Sequence, residues 1–302
     1  MTGPFPPRVA AAPLALSAGA WDDYALIDSG DGRKLERFGA VTAVRPEPQC
    51  LWRPGLAPEV WDAADAVFEG RDDEDQGRWT RKSGCPDAWP MRWGEVCFEA
   101  RLTAFRHLGL FPEQAANWDW IGRALSGAPR GARVLNLFGY TGVASLVAAS
   151  HGAQVTHVDA SRKSVAWARE NARMSGLDGA PIRWLTEDAR TYVRRELRRG
   201  AKYDAIILDP PKYCRGPDGD VWRLYQDLPD LLVACAALLS DTPLFLLLNA
   251  YSERLTGLAL AHLLAEVMAG RGGGVDWGEL ALIEARGARG VGLSFFARWS
   301  AA

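Results

Sequence analysis

From residue 115 onward the sequence alternates between short apolar runs and amphipathic stretches, and this pattern leaves few possible folds. The apolar runs are ARVLNLF, QVTHVDA, PIRWLTED, YDAIILDP and PLFLLLNAY, with helical periods such as SRKSVAWARENARMSG between them. Near-continuous apolar strands that alternate with helices are typical of a parallel sheet covered on both faces. Two closely spaced strands, GELALIEA and VGLSFFARWS, follow the last helix and predict a terminal hairpin. We therefore expect an α/β fold with a doubly wound, mostly parallel, seven-stranded Rossmann-like sheet.

The preceding part of the chain has a different composition. Residues 21–104 hold six of the thirteen tryptophans together with short apolar runs and Asp-Gly turns, which predicts a small β-rich domain. The tryptophans are interpreted as core residues, with a base-stacking surface as the alternative. Residues 1–20 contain four prolines and one arginine, and predict a disordered tail rather than a signal peptide. The second domain is expected to span residues 105–302.

Composition narrows the class of protein. The net charge is −2 and the sequence pI about 6.1, so the chain lacks the basic excess of a strong nucleic-acid binder, although a local patch can bind phosphate. The five cysteines include no CxxC pair, which predicts reduced thiols and no metal site. No run approaches the ~18 apolar residues of a membrane span. We expect a soluble, cytoplasmic protein without membrane contact.

Polar residues stand where four successive predicted strands end. The first strand is followed by a glycine turn with Gly139 and Gly142, the second by Asp159, the third by Asp188 and the fourth by Asp209. Ligands of open parallel sheets bind at the carboxyl ends of the strands, where a carboxylate can accept ribose hydroxyls. Each residue also has a structural interpretation, because Asp is common as a helix N-cap. Four such features in order favour a nucleotide-type cofactor site.

These motifs resemble the S-adenosylmethionine-dependent methyltransferases related to the large-subunit ribosomal RNA cytosine methyltransferases. The resemblance covers residues 105–302 and is carried by LNLFGYTGVASL (135–146), THVDASRKSVAWARENA (156–172), TEDAR (186–190) and YDAIILDPPKY (203–213). It implies S-adenosylmethionine as cofactor. HLGLFPEQ, residues 107–114, is similar to a segment that lines the cofactor site in that family. The implied cofactor-binding residues are Gln114, Asn136, Phe138, Gly139, Tyr140, Thr141, Gly142, Asp159, Ala160, Ser161, Asp188, Ala189 and Asp209.

The DPPKY segment is the candidate for the methyl acceptor. Asp209 can accept a hydrogen bond or proton from an amine, and Tyr213 can stack on a base turned out of its helix. Pro210 and Pro211 stiffen the turn and are expected to free carbonyls to point at the target. Lys212 is interpreted either as a phosphate contact or as a solvated side chain. The predicted catalytic residues are Asp209, Pro210, Pro211 and Tyr213, and the predicted substrate-binding residues are Lys212 and Tyr213.

The sequence departs from the cytosine-modifying relatives at one position. Methylation of a pyrimidine carbon generally needs a thiolate nucleophile, and those relatives have a cysteine after the fifth strand. The corresponding stretch here, LLLNAYSERL, has none. Cys214 is a weak candidate for that role, so direct attack by a nitrogen or oxygen nucleophile fits better.

Four functions remain open at this point. The leading one is methylation of a base in RNA, expected to be ribosomal RNA; the alternative is a protein or small-molecule methyltransferase. A nicotinamide oxidoreductase is disfavoured because FGYTG replaces GxGxxG, and a non-catalytic RNA-binding protein is the fourth. The one concentrated basic stretch, Arg190 to Lys202, is interpreted as a solvated helix end or as an RNA contact.

Overall fold

The computed structural model describes residues 6–17, 19, 21–70, 76–215, 219, 221–251, 254–287 and 289–301. The strands are β1 (Arg8–Val9), β2 (Leu14–Ser17), β3 (Tyr24–Gly30), β4 (Arg33–Phe38), β5 (Val41–Pro46), β6 (Ala66–Gly70), β7 (Gly77–Arg81), β8 (Ala88–Trp93), β9 (Val96–Arg101), β10 (Arg133–Leu137), β11 (Gln154–Asp159), β12 (Ile182–Thr186), β13 (Ala205–Leu208), β14 (Tyr213–Arg215), β15 (Val221–Arg223), β16 (Phe245–Ala250), β17 (Gly274–Ile283) and β18 (Gly290–Ser300). The helices are α1 (Pro58–Asp62), α2 (Ala115–Ser126), α3 (Val143–Ser150), α4 (Arg162–Met174), α5 (Ala189–Arg198), α6 (Leu224–Leu238) and α7 (Gly257–Val267), with a 3-10 turn at Pro112–Gln114.

The central sheet has the order β1-β17-β18-β16-β13-β10-β11-β12, with β2 paired to β17. The five adjacent strands β16, β13, β10, β11 and β12 are all parallel, and β18 is antiparallel to β16. β13 and β16 are buried along their whole length, as expected for strands that helices cover on both faces. The predicted fold class is confirmed, including the two strands that follow the last helix. Within the described residues the sheet has nine strands rather than the predicted seven, because β1 and β2 pair with β17.

Residues 8–17 differ from the predicted disordered tail. β1 pairs in parallel with β17 through Arg8↔Gly274 and Val9↔Val275, and the Trp277 indole donates a hydrogen bond of 2.8 Å to the Ala10 carbonyl. The backbone of Leu14 lies so close to Gly278 that any side chain there would clash. Pairing to the edge of a sheet thus orders a segment whose composition indicates disorder. Residues 1–5, 18 and 20 of the predicted tail lie outside the described residues.

The chain forms two compact units. One comprises residues 1–16, 117–280 and 294–302 and contains the strand ends discussed above; the other comprises residues 17–116 and 281–293. Residues 281–293 join the second unit because the Arg289 guanidinium pairs with the Asp28 carboxylate at 2.8 Å, and Glu284 accepts from the Ser29 hydroxyl at 2.6 Å. The domain boundary after residue 104 stays a prediction.

The second unit is β-rich, with the sheet β3-β4-β5-β6-β7 and the hairpin β8–β9. Trp21, Trp61 and Trp89 are buried in it. The Trp61 indole donates to the Asp28 carboxylate and the Trp89 indole to the Phe38 carbonyl. These tryptophans are therefore core residues. Across the described part of the chain, no helix is long and apolar enough to cross a membrane.

Candidate active site

The turn after β10 has an unusual backbone. Phe138 and Tyr140 have φ values of 57° and 50°, and Gly142, the N-cap of α3, has φ 87°. Left-handed conformations at non-glycine residues are uncommon and cluster at functional sites. At Gly139, a Cβ atom would lie 2.4 Å from Cε1 of His157, so only glycine allows the backbone to approach the next strand this closely.

A buried network of hydrogen-bonded side chains supports this turn. The Asn136 amide donates to Ser145 Oγ at 2.8 Å, and that oxygen lies 3.0 Å from Nδ1 of His157. All three residues are buried, and burial lowers the pKa of His157 to about 3, so the imidazole is neutral. Asn136, predicted to bind the cofactor, thus has its amide engaged within the protein. His157 was not predicted; the signal for it is a histidine in the middle of an apolar strand.

Asp159 fixes the conformation of two turns. Its Oδ2 accepts from the Tyr140 backbone N–H and its Oδ1 from the Ser161 backbone N–H, each at 2.8 Å. The N-cap of α4 is Ser161, whose hydroxyl accepts from the Ser164 N–H at 3.2 Å. Asp159 is therefore not the helix cap. Burial raises the pKa of its carboxyl group, and each oxygen keeps acceptor capacity for a further hydroxyl.

Asp188, unlike Asp159, is a helix N-cap, the structural role that its position in the sequence suggested. It is the N-cap of α5 and accepts from the Thr191 N–H at 2.9 Å. Arg190 lies 3.7 Å from the same oxygen and pairs at 2.9 Å with Asp227. Ala189, the first residue of α5, is buried. The cap and the cofactor role are compatible, because a carboxylate has about four acceptor sites.

Asp209 follows β13 and meets a residue that sequence reasoning missed. The register Leu208↔Leu248 aligns β13 with β16, so Asp209 and Asn249 both lie where these strands end. The Asn249 amide donates to Asp209 Oδ1 at 2.8 Å. Burial raises the pKa of Asp209 to about 6. No local pattern indicates this pair, because its members lie 40 residues apart.

The prolines do not leave all of the loop carbonyls free, which corrects one expectation. The Pro211 carbonyl accepts from the Trp222 indole at 2.7 Å, and the Lys212 carbonyl accepts from the Leu224 N–H at 3.1 Å. Pro210 is buried, whereas Lys212 and Tyr213 are exposed. Two hydrogen bonds thus attach the loop to β15 and α6. The Pro-Pro pair therefore contributes rigidity to the loop rather than free carbonyls.

Cys214 is not activated as a nucleophile. Burial, followed by the charges of Asp188 and Asp159, raises the pKa of its thiol to about 11. At neutral pH it is therefore a thiol, and thiolate is the reactive form.

The predicted site residues are brought together in one unit, with one exception. The segments 136–142, 159–161, 188–189 and 209–213 lie at the carboxyl ends of β10, β11, β12 and β13, which are neighbours in the sheet. Gln114 ends the 3-10 turn and belongs to the other compact unit. Asn249, which was not predicted, lies near the carboxyl end of β16 at the same edge of the sheet.

Comparisons with known proteins agree with this geometry. The chain is similar to the crystal structure of a methyltransferase dependent on S-adenosylmethionine from Agrobacterium tumefaciens, with 47% identity, a TM-score of 0.95 and coverage of 99% of this chain and 96% of that chain. A structure from Streptococcus mutans, 17% identical with a TM-score of 0.70, covers 92% of this chain and 75% of that chain, and shows the fold alone. Ribosomal RNA large subunit methyltransferase K/L from Shewanella baltica is 35% identical over 147 residues.

That curated relative is much longer than this chain. The match covers 48% of this chain and about a fifth, 20%, of the relative. The sequence profile of the S-adenosylmethionine-dependent methyltransferases matches residues 78–243. This range is more than half of the chain and contains the glycine turn, Asp159, Asp188 and the DPPKY loop. The chain therefore belongs to the S-adenosylmethionine-dependent methyltransferase family.

Proposed function

We propose that this methyltransferase modifies an exocyclic amine of a base in RNA, with ribosomal RNA as the substrate. The observation that carries the proposal is the partly buried Asp209 carboxylate, held by Asn249 and followed closely by Tyr213, which is 50% exposed. A carboxylate can accept a hydrogen bond from an amine while an aromatic ring stacks on the same base. The name of the Shewanella relatives supports RNA as the substrate class. Such a substrate would place the protein in the cytoplasm.

Positioning is the main task of the chain's own residues. The bound cofactor supplies an activated methyl group on a sulfonium. We assign cofactor binding to the turn from Phe138 to Gly142, to Asp159 and Ser161, and to Asp188. Asp209 orients the amine and accepts its proton as the new N–C bond forms, and the tied Pro-Pro loop holds it in place.

Methylation of a cytosine carbon is disfavoured by two observations. The carboxyl end of the fifth parallel strand has Asn249 and Ala250 rather than a cysteine, and the Cys214 thiol has a raised pKa. We expect Cys214→Ser to keep the transfer rate within about threefold of the wild type, because this mechanism has no covalent intermediate on sulfur. Single-turnover transfer of labelled methyl to RNA measures this rate. Complete loss of transfer, with normal cofactor binding and folding, would contradict the amine assignment.

The substrate is tested by mass spectrometry of ribosomal RNA nucleosides from strains with and without the gene. We expect one base with an N-linked methyl group to disappear in the deletion strain and to return when its RNA is incubated with purified protein and cofactor. Methyl transfer to the protein or small-metabolite fraction, with none to this RNA, would refute the proposal.

A further inference from the structure

The strands β14 and β15 form a small hairpin directly after the Asp209 loop. Cys214 pairs with Trp222, Tyr213 with Arg223, and Arg215 with Val221. Side chains alternate between the two faces of a strand, so Cys214 and Trp222 share the inner face. Trp222 is 1% exposed, and its ring centroid lies 5.0 Å from that of Phe138 in the glycine turn. The inner face is therefore fixed to the cofactor turn.

The opposite face of the hairpin is exposed and combines aromatic rings with cations. Arg215 and Arg223 are exposed, and Arg215 Nε donates to the Tyr213 hydroxyl at 3.2 Å. Among the residues that the structure describes, neither arginine pairs with a carboxylate. Lys212 precedes this strand, and Tyr225, 48% exposed, lies in the first turn of α6. We call Lys212, Tyr213, Arg215, Arg223 and Tyr225 the hairpin face.

The basic stretch from Arg190 to Lys202, which comprises α5 and the residues just after it, offers fewer free cations than its sequence suggested. Arg195 forms a bidentate pair with Glu187, Arg199 pairs with Glu196, and Arg190 pairs with Asp227. Lys202 donates to the Ala237 carbonyl. Most of these cations are thus engaged within the protein, and Arg194 and Arg198 are the exposed members without such a contact in the described chain.

We propose that the hairpin face binds single-stranded RNA beside the target base, an inference that rests on the proposed function. Exposed rings provide stacking surfaces for any base, and cations beside them can hold the adjoining phosphates. The occupant must be polyanionic and carry planar groups, and single-stranded RNA has both properties. Because the inner face packs on the cofactor turn, RNA held here would lie next to the loop that receives the base.

The test is the salt dependence of binding to a fluorescent 20-nucleotide single-stranded RNA of mixed sequence, in the presence of S-adenosylhomocysteine. Each phosphate contact that is lost lowers the slope of log affinity against log salt by ~0.7 for a single strand. We expect R215A/R223A to lower the slope by about 1.4, and Y225A to weaken binding about tenfold without changing the slope. The matched control R194A/R198A removes the same charge from α5 and is expected to keep the wild-type slope.

An unchanged slope in R215A/R223A, or a larger loss in R194A/R198A, would overturn the proposal, as would equal displacement of the RNA by poly-glutamate. Melting temperatures and S-adenosylhomocysteine affinities establish that the variants are folded. Failure of the proposed function is a separate result: RNA that binds through the hairpin face but is never methylated would refute methylation and leave this surface intact. Methylated RNA with no effect of R215A/R223A would refute only this surface.

Discussion

Asp209→Asn is expected to reduce methyl transfer by about a hundredfold or more while raising the thermal stability of the protein. The loss follows because an amide cannot accept the proton from the amine, a role worth ~10²–10⁴ in rate. The gain follows from burial, which raises the pKa of Asp209 to about 6. A carboxyl group with a raised folded-state pKa costs stability when it is ionised, and this cost disappears as the pH falls from above 6 towards 4.

Two measurements separate these effects. A shift of about two pKa units corresponds to ~3 kcal/mol as an upper limit, so the free energy of unfolding at pH 7.5 should be higher in D209N than in the wild type. The difference should shrink as the pH falls towards 4. Wild-type kcat/KM should fall below a pH of about 6, where Asp209 becomes protonated. A variant that is both less stable and fully active would contradict the role of Asp209.

Asp204 provides the matched control for this prediction. It lies just before β13 and accepts from the Arg133 N–H and the Ser240 hydroxyl, both at 2.8 Å. Asp204→Asn should lower stability and leave the transfer rate unchanged. Asn249→Ala removes the hydrogen bond that lowers the pKa of Asp209, so the inflection of kcat/KM should move to higher pH. An inflection that stays in place would show that Asn249 does not act on Asp209.

Asp159→Ala is expected to weaken S-adenosylmethionine binding by about a hundredfold. The substitution leaves the Tyr140 and Ser161 backbone N–H groups without the carboxylate that now accepts from both. Hydrogen bonds to charged groups contribute ~1.5–3 kcal/mol each. The left-handed conformation of Tyr140 also costs free energy, so the turn should relax once this anchor is lost.

Isothermal titration with S-adenosylmethionine measures the affinity, and kinetics at saturating cofactor separate KM from kcat. We expect the KM for the cofactor to rise while kcat falls much less, because Asp209 and Tyr213 are untouched. Asp178→Ala is the control, since Asp178 is an exposed residue between α4 and β12. Unchanged affinity in D159A would exclude Asp159 from the cofactor site.

Local patterns were sufficient to predict the sheet and the strand ends at which the candidate site residues lie. The apolar runs predicted β10, β11, β12, β13 and β16. β13 and β16 are buried along their whole length, and even β12 at the edge of the sheet, which is only partly buried, keeps enough apolar residues to be recognised. The positions of Asp159, Asp188 and Asp209 at the ends of three strands were predicted from where each apolar run stops. The composition of residues 1–20 predicted disorder, and this was wrong for β1 and β2. These two strands are ordered because they pair with β17, and their own residues do not show this.

The sequence by itself determined the α/β fold and the order of the motifs at the ends of β10 to β13. Buried strands and the turns that end them are encoded by residues adjacent in the chain, so a local pattern is enough to recognise them. The tertiary structure decided the state of each functional group. Burial raised the pKa of Asp209 while the hydrogen bond from Asn249 lowered it, and Cys214 stayed a thiol. Asp188 became a helix cap, and Arg190 and Arg195 of α5 were engaged in ion pairs while Arg215 and Arg223 were left exposed. These properties depend on strand register and on contacts between residues far apart in the chain, which no local pattern records.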